Sequence, residues 1–342
     1  MADLTQASRE LFRRAPDERF ESVESLVEHC RELRRGSSDH WHVPQRLQPT
    51  VSNGDLLLNV ENDGLFSLND WSFSQLCRLG GVAKDTVNRL TPETAGRVFT
   101  ETLPMSQKPM QVMTQGTGVR SIHSAAYTRL WNVDLINLIR EFGTDFQPPQ
   151  TAFNGATGLY CGEQDLFCFL IDPAGWVEIG GEAFAPGFFV WNSEVGRRSV
   201  GISTFWFQKV CQNHIVWDAT EVVEFTRKHT GKVQDSLLEI RRHIETLVTR
   251  RDQRKDSFAA VVRKAMQENV ADTDEEATKF LSKQNLSRDL VERAVKQLGQ
   301  EDKAFTLWNL VDALTHLNVA LRFAGDRSEA DQKVAQLLEL AA

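Results

Sequence analysis

Hydrophobic residues recur at helical spacing near the start of the chain and through most of its last third. From Phe20 to Cys30 the apolar positions follow one helix face, which predicts a helix that begins at Asp17 or Ser22 and ends at Gly36. Between residues 232 and 342 the same spacing predicts several amphipathic helices. Helices therefore flank whatever lies between these two parts.

Short strand patterns occupy the middle of the chain. Residues 55–60 and 65–68 predict a hairpin, because a Glu-Asn-Asp-Gly turn separates them. A continuous apolar run at 166–171 predicts a buried strand, and residues 176–179, after the turn at 172–175, are expected to return as its hairpin partner. We expect further strands at 119–122, 188–191 and 199–203, and a strand or helix that continues from there to residue 211. Asn69 or Asp70 is expected to cap a helix that ends near Leu79.

These elements predict an α+β protein with a central, mostly antiparallel sheet, helices before it and a helical C-terminal third. We divide the chain into an N-terminal helical segment (1–36), an α+β core (37–231) and a C-terminal helical region (232–342) that packs on the core as one compact unit. The apolar stripe at 233–248 is long enough to pair with a second copy of the chain, which makes a homo-oligomer an alternative. We favour packing of this stripe within one subunit.

Composition excludes several classes of protein. The chain has 342 residues, 41% hydrophobic and 25% charged, which is ordinary for a globular protein of one or two domains. Its apolar runs are too short to cross a membrane, and its N-terminus lacks the apolar stretch of a signal peptide. We therefore expect a cytoplasmic protein, in which the five cysteines are reduced thiols.

Candidate catalytic and metal-binding residues form no standard motif. Gly231-Lys232 is followed by Val233, whereas the phosphate-binding P-loop motif requires Ser or Thr at that position, so the motif is absent here. Two sets remain as the basis of a metal-dependent enzyme: Cys161, Cys168, Cys211 and His214, and the acids Asp165, Asp172 and Glu178. Neither has the spacing of a known site, and acids beside turns usually stabilise the turn. We therefore favour a protein without catalytic residues, bound metal or cofactor.

Charge is distributed unevenly along the chain. Residues 197–255 contain 12 Lys/Arg and 7 acids, a net +5, which leaves −13 for the remainder of a chain of net −8. A basic zone with neighbouring aromatics is typical of single-stranded nucleic-acid binding. The candidate nucleic-acid-binding residues are Arg197, Arg198, Lys209, Arg227, Lys228, His229, Arg241, Arg242, Trp206 and Trp217. Against this interpretation, most of the aromatics fall in strands at positions typical of a core.

Several motifs, in one order, resemble a known family. They are Phe66-Ser67-Leu68-Asn69-Asp70 with Phe73, Gln75 and Leu76, the segment 119–127, Asn192-Ser193-Glu194-Val195-Gly196, Cys211-Gln212-Asn213-His214, Arg227-Lys228-His229 and the segment 308–315. Together they resemble the phage/plasmid-like protein family, a domain of unknown function, over about residues 50–325. One departure is His214, which stands where that family usually has Gly. The resemblance implies mobile-element DNA metabolism and no particular activity.

We therefore expect a phage- or plasmid-type protein that binds single-stranded DNA, or assists annealing and recombination, through residues 197–255. The alternative is a protein-interaction, host-takeover or anti-defence module without catalysis, whose acidic remainder would mimic nucleic acid or dock a basic host or phage protein. A metal-dependent enzyme is the second alternative.

Overall fold

The computed structural model describes residues 10–150, 158–209, 214–215 and 225–341, with the backbone alone at 214–215, 225–227 and 251–255. Within these residues, no helix combines the length and the apolar character needed to cross a membrane.

The N-terminal part, residues 10–124, alternates short strands with helices. Its elements are β1 (Glu18–Arg19), α1 (Val23–Arg35), β2 (Ser37–His42), β3 (Leu47–Ser52), β4 (Asp55–Val60), β5 (Gly64–Leu68), α2 (Asp70–Leu79), α3 (Lys84–Val87), α4 (Pro92–Thr102), β6 (Met110–Gln115) and β7 (Gly118–Ser124). The predicted helix near Ser22, the hairpin around residues 61–64 and the helix at 70–79 are confirmed.

Capping residues explain why these helix boundaries could be predicted. The Ser22 hydroxyl accepts a hydrogen bond from the backbone N–H of Ser25, and the Ser25 hydroxyl accepts one from the backbone N–H of Ser22, which satisfies two N–H groups at the start of α1. Asn69 and Ser72 repeat this reciprocal arrangement at the start of α2.

β2 to β7 form an N-terminal sheet in the order β2-β6-β7-β5-β4-β3, all antiparallel except the β5–β7 pair. Its edge strands β2 and β3 follow each other in sequence through a short 3-10 helix, Pro44–Arg46. A flat sheet of this order would separate its edges by ~24 Å, whereas the chain from His42 to Leu47 reaches at most ~19 Å. The sheet must therefore curl, and it encloses a core that includes Phe73 and Phe99.

The middle of the chain contains the longest strands. Its elements are α5 (Asn132–Arg140), β8 (Leu159–Cys161), β9 (Leu166–Ile171), β10 (Val177–Ile179), β11 (Glu182–Asn192), β12 (Val200–Gln208), β13 (His214–Ile215) and β14 (Phe225–Arg227). They form a central antiparallel sheet in the order β1-β8-β9-β11-β12, with β10 added to β11 and with β13 and β14 added to β12.

Alternate residues of the central sheet face two different environments. One face packs Cys168, Leu170, Phe188 and Val190 against α1, α5 and α6 (Ser236–Thr249). The opposite face is aromatic and consists of Phe167, Phe169, Phe189, Trp191, Phe205 and Phe207. We refer to these six residues as the aromatic face.

The prediction that residues 176–179 form the hairpin partner of β9 is wrong. β10 pairs with β11, with Ile179 opposite Glu182, and β9 pairs with β8 and β11. Gly180 and Gly181 have φ of 60° and 86° and connect β10 directly to β11. Two residues with positive φ form the turn that best matches strand twist, so this turn determines the pairing.

The C-terminal part is helical, as predicted. After α6 follow α7 (Arg251–Gln267), β15 (Asn269–Ala271), α8 (Asp274–Ser282), α9 (Arg288–Gln300), β16 (Phe305–Thr306), α10 (Leu307–Asn318), α11 (Ala324–Ala335) and a final 3-10 helix, Gln336–Ala341. Leu310, Leu314, Val334 and Leu338 meet in the core of this part. The α6 stripe, including Ile240 and Ile244, is buried within the subunit.

The α+β class is thus confirmed, with the strands in the first two thirds and helices gathered at the C-terminal end. The division at residues 36 and 231 stays a prediction. Strands β2, β3 and β6 were not anticipated from the sequence.

Candidate nucleic-acid interface

The loop 193–199, which connects β11 to β12, is held by donors from distant parts of the chain. Trp71 donates its indole N–H to the Val195 carbonyl at 2.7 Å. The Tyr127 hydroxyl and Arg129 Nε donate to the Glu194 carbonyl at 2.7 and 3.0 Å. Because these side chains come from α2 and from the segment after β7, the loop joins the N-terminal sheet to the central sheet.

The Glu194 carboxylate is buried beneath this loop and has two partners. Arg120 donates to one oxygen at 3.1 Å, and the backbone N–H of Asn132 donates to the other at 2.8 Å. Asn132 is the first residue of α5, whose N-cap Trp131 offers no side-chain hydrogen bond. Glu194 therefore supplies the acceptor that the N-cap of α5 lacks, and its negative charge suits the positive end of the helix dipole.

Three rings stack against the other side of the loop. His123 and Tyr127 are nearly parallel with centroids 3.8 Å apart, and His229 stacks on Tyr127 at 5.5 Å. Gly196, with φ of 70°, lies against the first two rings, so that a Cβ there would come within 2.6 Å of His123 Cε1. Only glycine fits this contact and this backbone conformation.

Both histidines of the ring stack are held neutral. Burial, assisted by the nearby Arg129 guanidinium, lowers the pKa of His123 to about 4. Burial also lowers the pKa of His229 to about 4, although the nearby Thr128 backbone acts in the opposite direction. Neither ring nitrogen of His229 makes a well-formed hydrogen bond with a described residue. The stack therefore serves as packing for the loop and offers no charge to a ligand at neutral pH.

Beside the loop, the aromatic face opens into a cleft of about 320 Å³. We refer to it as the Arg197 cleft; it is lined by Phe167, Phe189, Trp191, Arg197, Arg198, Ser199, Ser203, Gly325, Ser328, Glu329 and Gln332. Arg197 is exposed, lies 5.7 Å from the Trp71 ring centroid and forms no ion pair with any described residue. The cleft thus combines aromatic walls, serine hydroxyls and an arginine that is available to an anion.

Arg198, the adjacent residue, is engaged by three carboxylates. Its guanidinium donates to Asp165 at 2.8 Å and to Glu329, and it lies 3.6 Å from Asp326. Gly325 allows this approach, since a Cβ there would come within 2.6 Å of the Arg198 guanidinium. These contacts fix α11 to the central sheet, so Arg198 positions a wall of the cleft.

Comparison with protein families assigns most of this region to a known group. The family model "Domain of unknown function (DUF932)" matches residues 121–339, more than half of the chain. The chain belongs to this family. No curated protein and no solved structure shows a significant match. The loop 193–199, the ring stack and the Arg197 cleft all lie inside the DUF932 match, whereas Trp71 and Arg120 precede it.

The other predicted phosphate contacts of the DUF932 region differ in availability. Arg241 pairs with Glu141 at 2.6 Å, and Arg242 pairs with Glu239 at 3.2 Å. Lys209 is exposed and lies 5.7 Å from the Trp176 ring centroid, and Lys228 is exposed beside the buried His229. His229 itself belongs to the ring stack. For Arg227 only the backbone, at the end of β14, is described.

Of the two tryptophans predicted to stack with bases, Trp206 lies in the described part of the chain and is not exposed. Trp206 is fully buried and lies parallel to Phe258 of α7, with ring centroids 4.1 Å apart. Its position matches the alternative interpretation, in which strand aromatics form the core. Trp217 lies outside the described residues.

The described residues offer no group of three or more His, Cys, Asp and Glu side chains suited to a metal ion. Cys161 and Cys168 are buried in the core, while Cys211 and the His214 side chain lie outside the described part. Asp165 accepts hydrogen bonds from Arg14 and Arg198. Asp172 accepts the Ala174 backbone N–H at 2.9 Å, which confirms its role in the turn.

Sequence reasoning missed the residues that build this site. Glu194 and Arg120 entered only as parts of motifs that carry the family resemblance, and Arg129 carried no signal. Each is separated from its partner by at least 62 positions, so spacing along the chain could not connect them.

Proposed function

We propose that this DUF932 protein binds single-stranded DNA at the Arg197 cleft. The observation that carries the proposal is Arg197 itself, an exposed cation without a carboxylate partner among the described residues, at an aromatic-walled cleft. A phosphate would contact its guanidinium, and a base would enter the cleft beside Phe167, Phe189 and Trp191.

The chemistry of the cleft supports this ligand class. Proteins hold single strands without sequence preference by combining cations that follow the backbone with aromatic side chains against the bases. A volume of about 320 Å³ is at the lower end of the range for small-molecule pockets, which suits a single base with its sugar. The sequence-based hypothesis placed the DNA contacts throughout residues 197–255, whereas the present proposal places them at the N-terminal end of that segment.

The resemblance to phage/plasmid-like proteins supports a role in mobile-element DNA metabolism, such as annealing or recombination. We also propose that the protein acts in the cytoplasm. Its partners would be DNA and the proteins of the host or the element, and the chain itself would carry no enzymatic step.

Fluorescence anisotropy with labelled (dT)12 at two salt concentrations tests the proposal. We expect binding at low salt that weakens as salt rises, because phosphate contacts release counterions. Arg197→Gln should lower affinity by about tenfold, the effect of losing about 1.4 kcal/mol of binding free energy.

Arg242→Gln is the matched control. It removes the same charge from the same basic segment, but at a side chain that is 70% exposed and already paired with Glu239. We expect it to bind (dT)12 like the wild type. Absence of wild-type binding at low salt would show that the proposal is wrong.

A further inference from the structure

The aromatic face continues beyond the Arg197 cleft. Phe169 stacks with Phe189, with centroids 4.8 Å apart, and lies 6.4 Å from Phe167 in a similar orientation. Phe167 and Phe189 line the Arg197 cleft, whereas Phe169 lines a second cleft of about 370 Å³. The two clefts therefore share one aromatic floor.

The first turn of α11 separates the two clefts. Ala324 packs on the aromatic face and lines the second cleft, while the next residue, Gly325, lines the Arg197 cleft. This turn is held in place, since the Ala324 backbone N–H donates to Asp17 at 3.0 Å. Asp17 in turn accepts a hydrogen bond from Arg14 at 3.1 Å.

The second cleft also carries an available arginine. Arg322 is exposed, has its guanidinium 5.4 Å from the Phe323 ring centroid and forms no ion pair with a described residue. We refer to this space as the Arg322 cleft; its other lining residues include Tyr160, Val319 and Ala320. The carboxylates that line the two clefts, Asp17 and Glu329, are already bonded to Arg14 and Arg198.

We infer that the ligand is a strand of at least two nucleotides that crosses the first turn of α11, with one base in each cleft and phosphates at Arg197 and Arg322. This inference rests on the proposed function and adds its site size and path.

The geometry also determines the state of the bound bases. Ala324 and Gly325 add little to the helix backbone, but even the Cα cylinder of a helix is ~4.6 Å across, whereas neighbouring bases in a stacked strand are ~3.4 Å apart. Bases on opposite sides of the turn are therefore unstacked from each other. The protein would therefore bind single-stranded DNA in preference to a duplex, because base pairing and stacking in a duplex prevent neighbouring bases from separating in this way.

Two variants of the Arg322 cleft test the inference with (dT)12. Arg322→Gln should lower affinity by about tenfold and reduce the slope of log K against log salt by about 0.7, the value for one phosphate of a single strand. Ala320→Trp, at an exposed residue that lines the cleft, should block entry of the base and lower affinity without any change of charge.

Arg288→Gln is the control for net charge, because Arg288 lies on α9 with its side chain 93% exposed and paired with Glu292. It should leave affinity and slope unchanged. The inference is overturned if Arg322→Gln keeps the wild-type slope or if Ala320→Trp binds like the wild type. In that case the proposed function stands as long as Arg197→Gln still weakens binding, whereas absence of wild-type binding removes both.

Discussion

The Glu194 carboxylate accepts the backbone N–H of Asn132 at 2.8 Å and thereby joins the loop 193–199 to the start of α5. Arg120 occupies the other carboxylate oxygen, and both side chains are almost completely removed from solvent. A single acidic side chain therefore connects the N-terminal sheet, α5 and the loop that carries Arg197.

Glu194→Ala should lower the free energy of unfolding by about 3–5 kcal/mol, because it leaves the buried Arg120 guanidinium without its carboxylate. Urea unfolding at neutral pH measures this loss. Glu239→Ala removes an acid from an exposed ion pair on α6 and should cost less than about 1 kcal/mol. Equal losses in the two variants would contradict the role assigned to Glu194.

Gly196→Ala should destabilise the loop by about 1–3 kcal/mol, because alanine disfavours its φ of 70° and the added Cβ would collide with His123. The same substitution should weaken (dT)12 binding, since Arg197 follows directly. Gly231→Ala is the control, as a Cβ there meets no atom within 4 Å. A Gly196→Ala protein with wild-type stability and affinity would show that the loop tolerates this change.

Local features were predictable, and long-range contacts were not. Ser22 and Asn69 marked helix starts because capping is decided within four residues. The hairpin of β10 and β11 was missed because two turn signals, at 172–175 and 180–181, competed for the same strand. β3 contains Pro49, which is typical of an edge strand and hides the strand pattern.

The candidate site shows the same limit. Arg197 was identified as part of the basic segment 197–255, and the structure keeps it exposed. Arg198 looked equivalent in sequence, yet Asp165 from the loop before β9 and Asp326 and Glu329 from α11 converge on it. Two of these three carboxylates lie more than 120 positions from Arg198, so the packing of α11 on the aromatic face could not be read from the local sequence.

Trp206→Leu separates the two roles considered for this tryptophan. Because Trp206 is fully buried against Phe258, we expect a loss of about 2–5 kcal/mol in unfolding free energy. The affinity for (dT)12, measured where the variant is still folded, should not change. If Trp206→Leu lowered the affinity as much as Arg197→Gln, the result would instead support the hypothesis that Trp206 contacts a base.

His229→Phe should make the protein less sensitive to acid. The folded-state pKa of His229, about 4, is lower than its ordinary value of 6.5. Its neutral form therefore stabilises the fold fully above pH 6.5, and this contribution is lost as pH falls from 6.5 towards 4. Between pH 7.5 and pH 5.0 the wild type should lose about 2 kcal/mol more unfolding free energy than the variant.

Phenylalanine preserves the stack on Tyr127 and removes ring nitrogens that have no well-formed hydrogen bond with a described residue. The variant should therefore fold at neutral pH, and urea unfolding at the two pH values gives the comparison. His316→Gln, at an exposed residue of α10 outside the ring stack, should keep the wild-type pH profile. If His229→Phe lost as much stability in acid as the wild type, the acid sensitivity would have to arise from other groups.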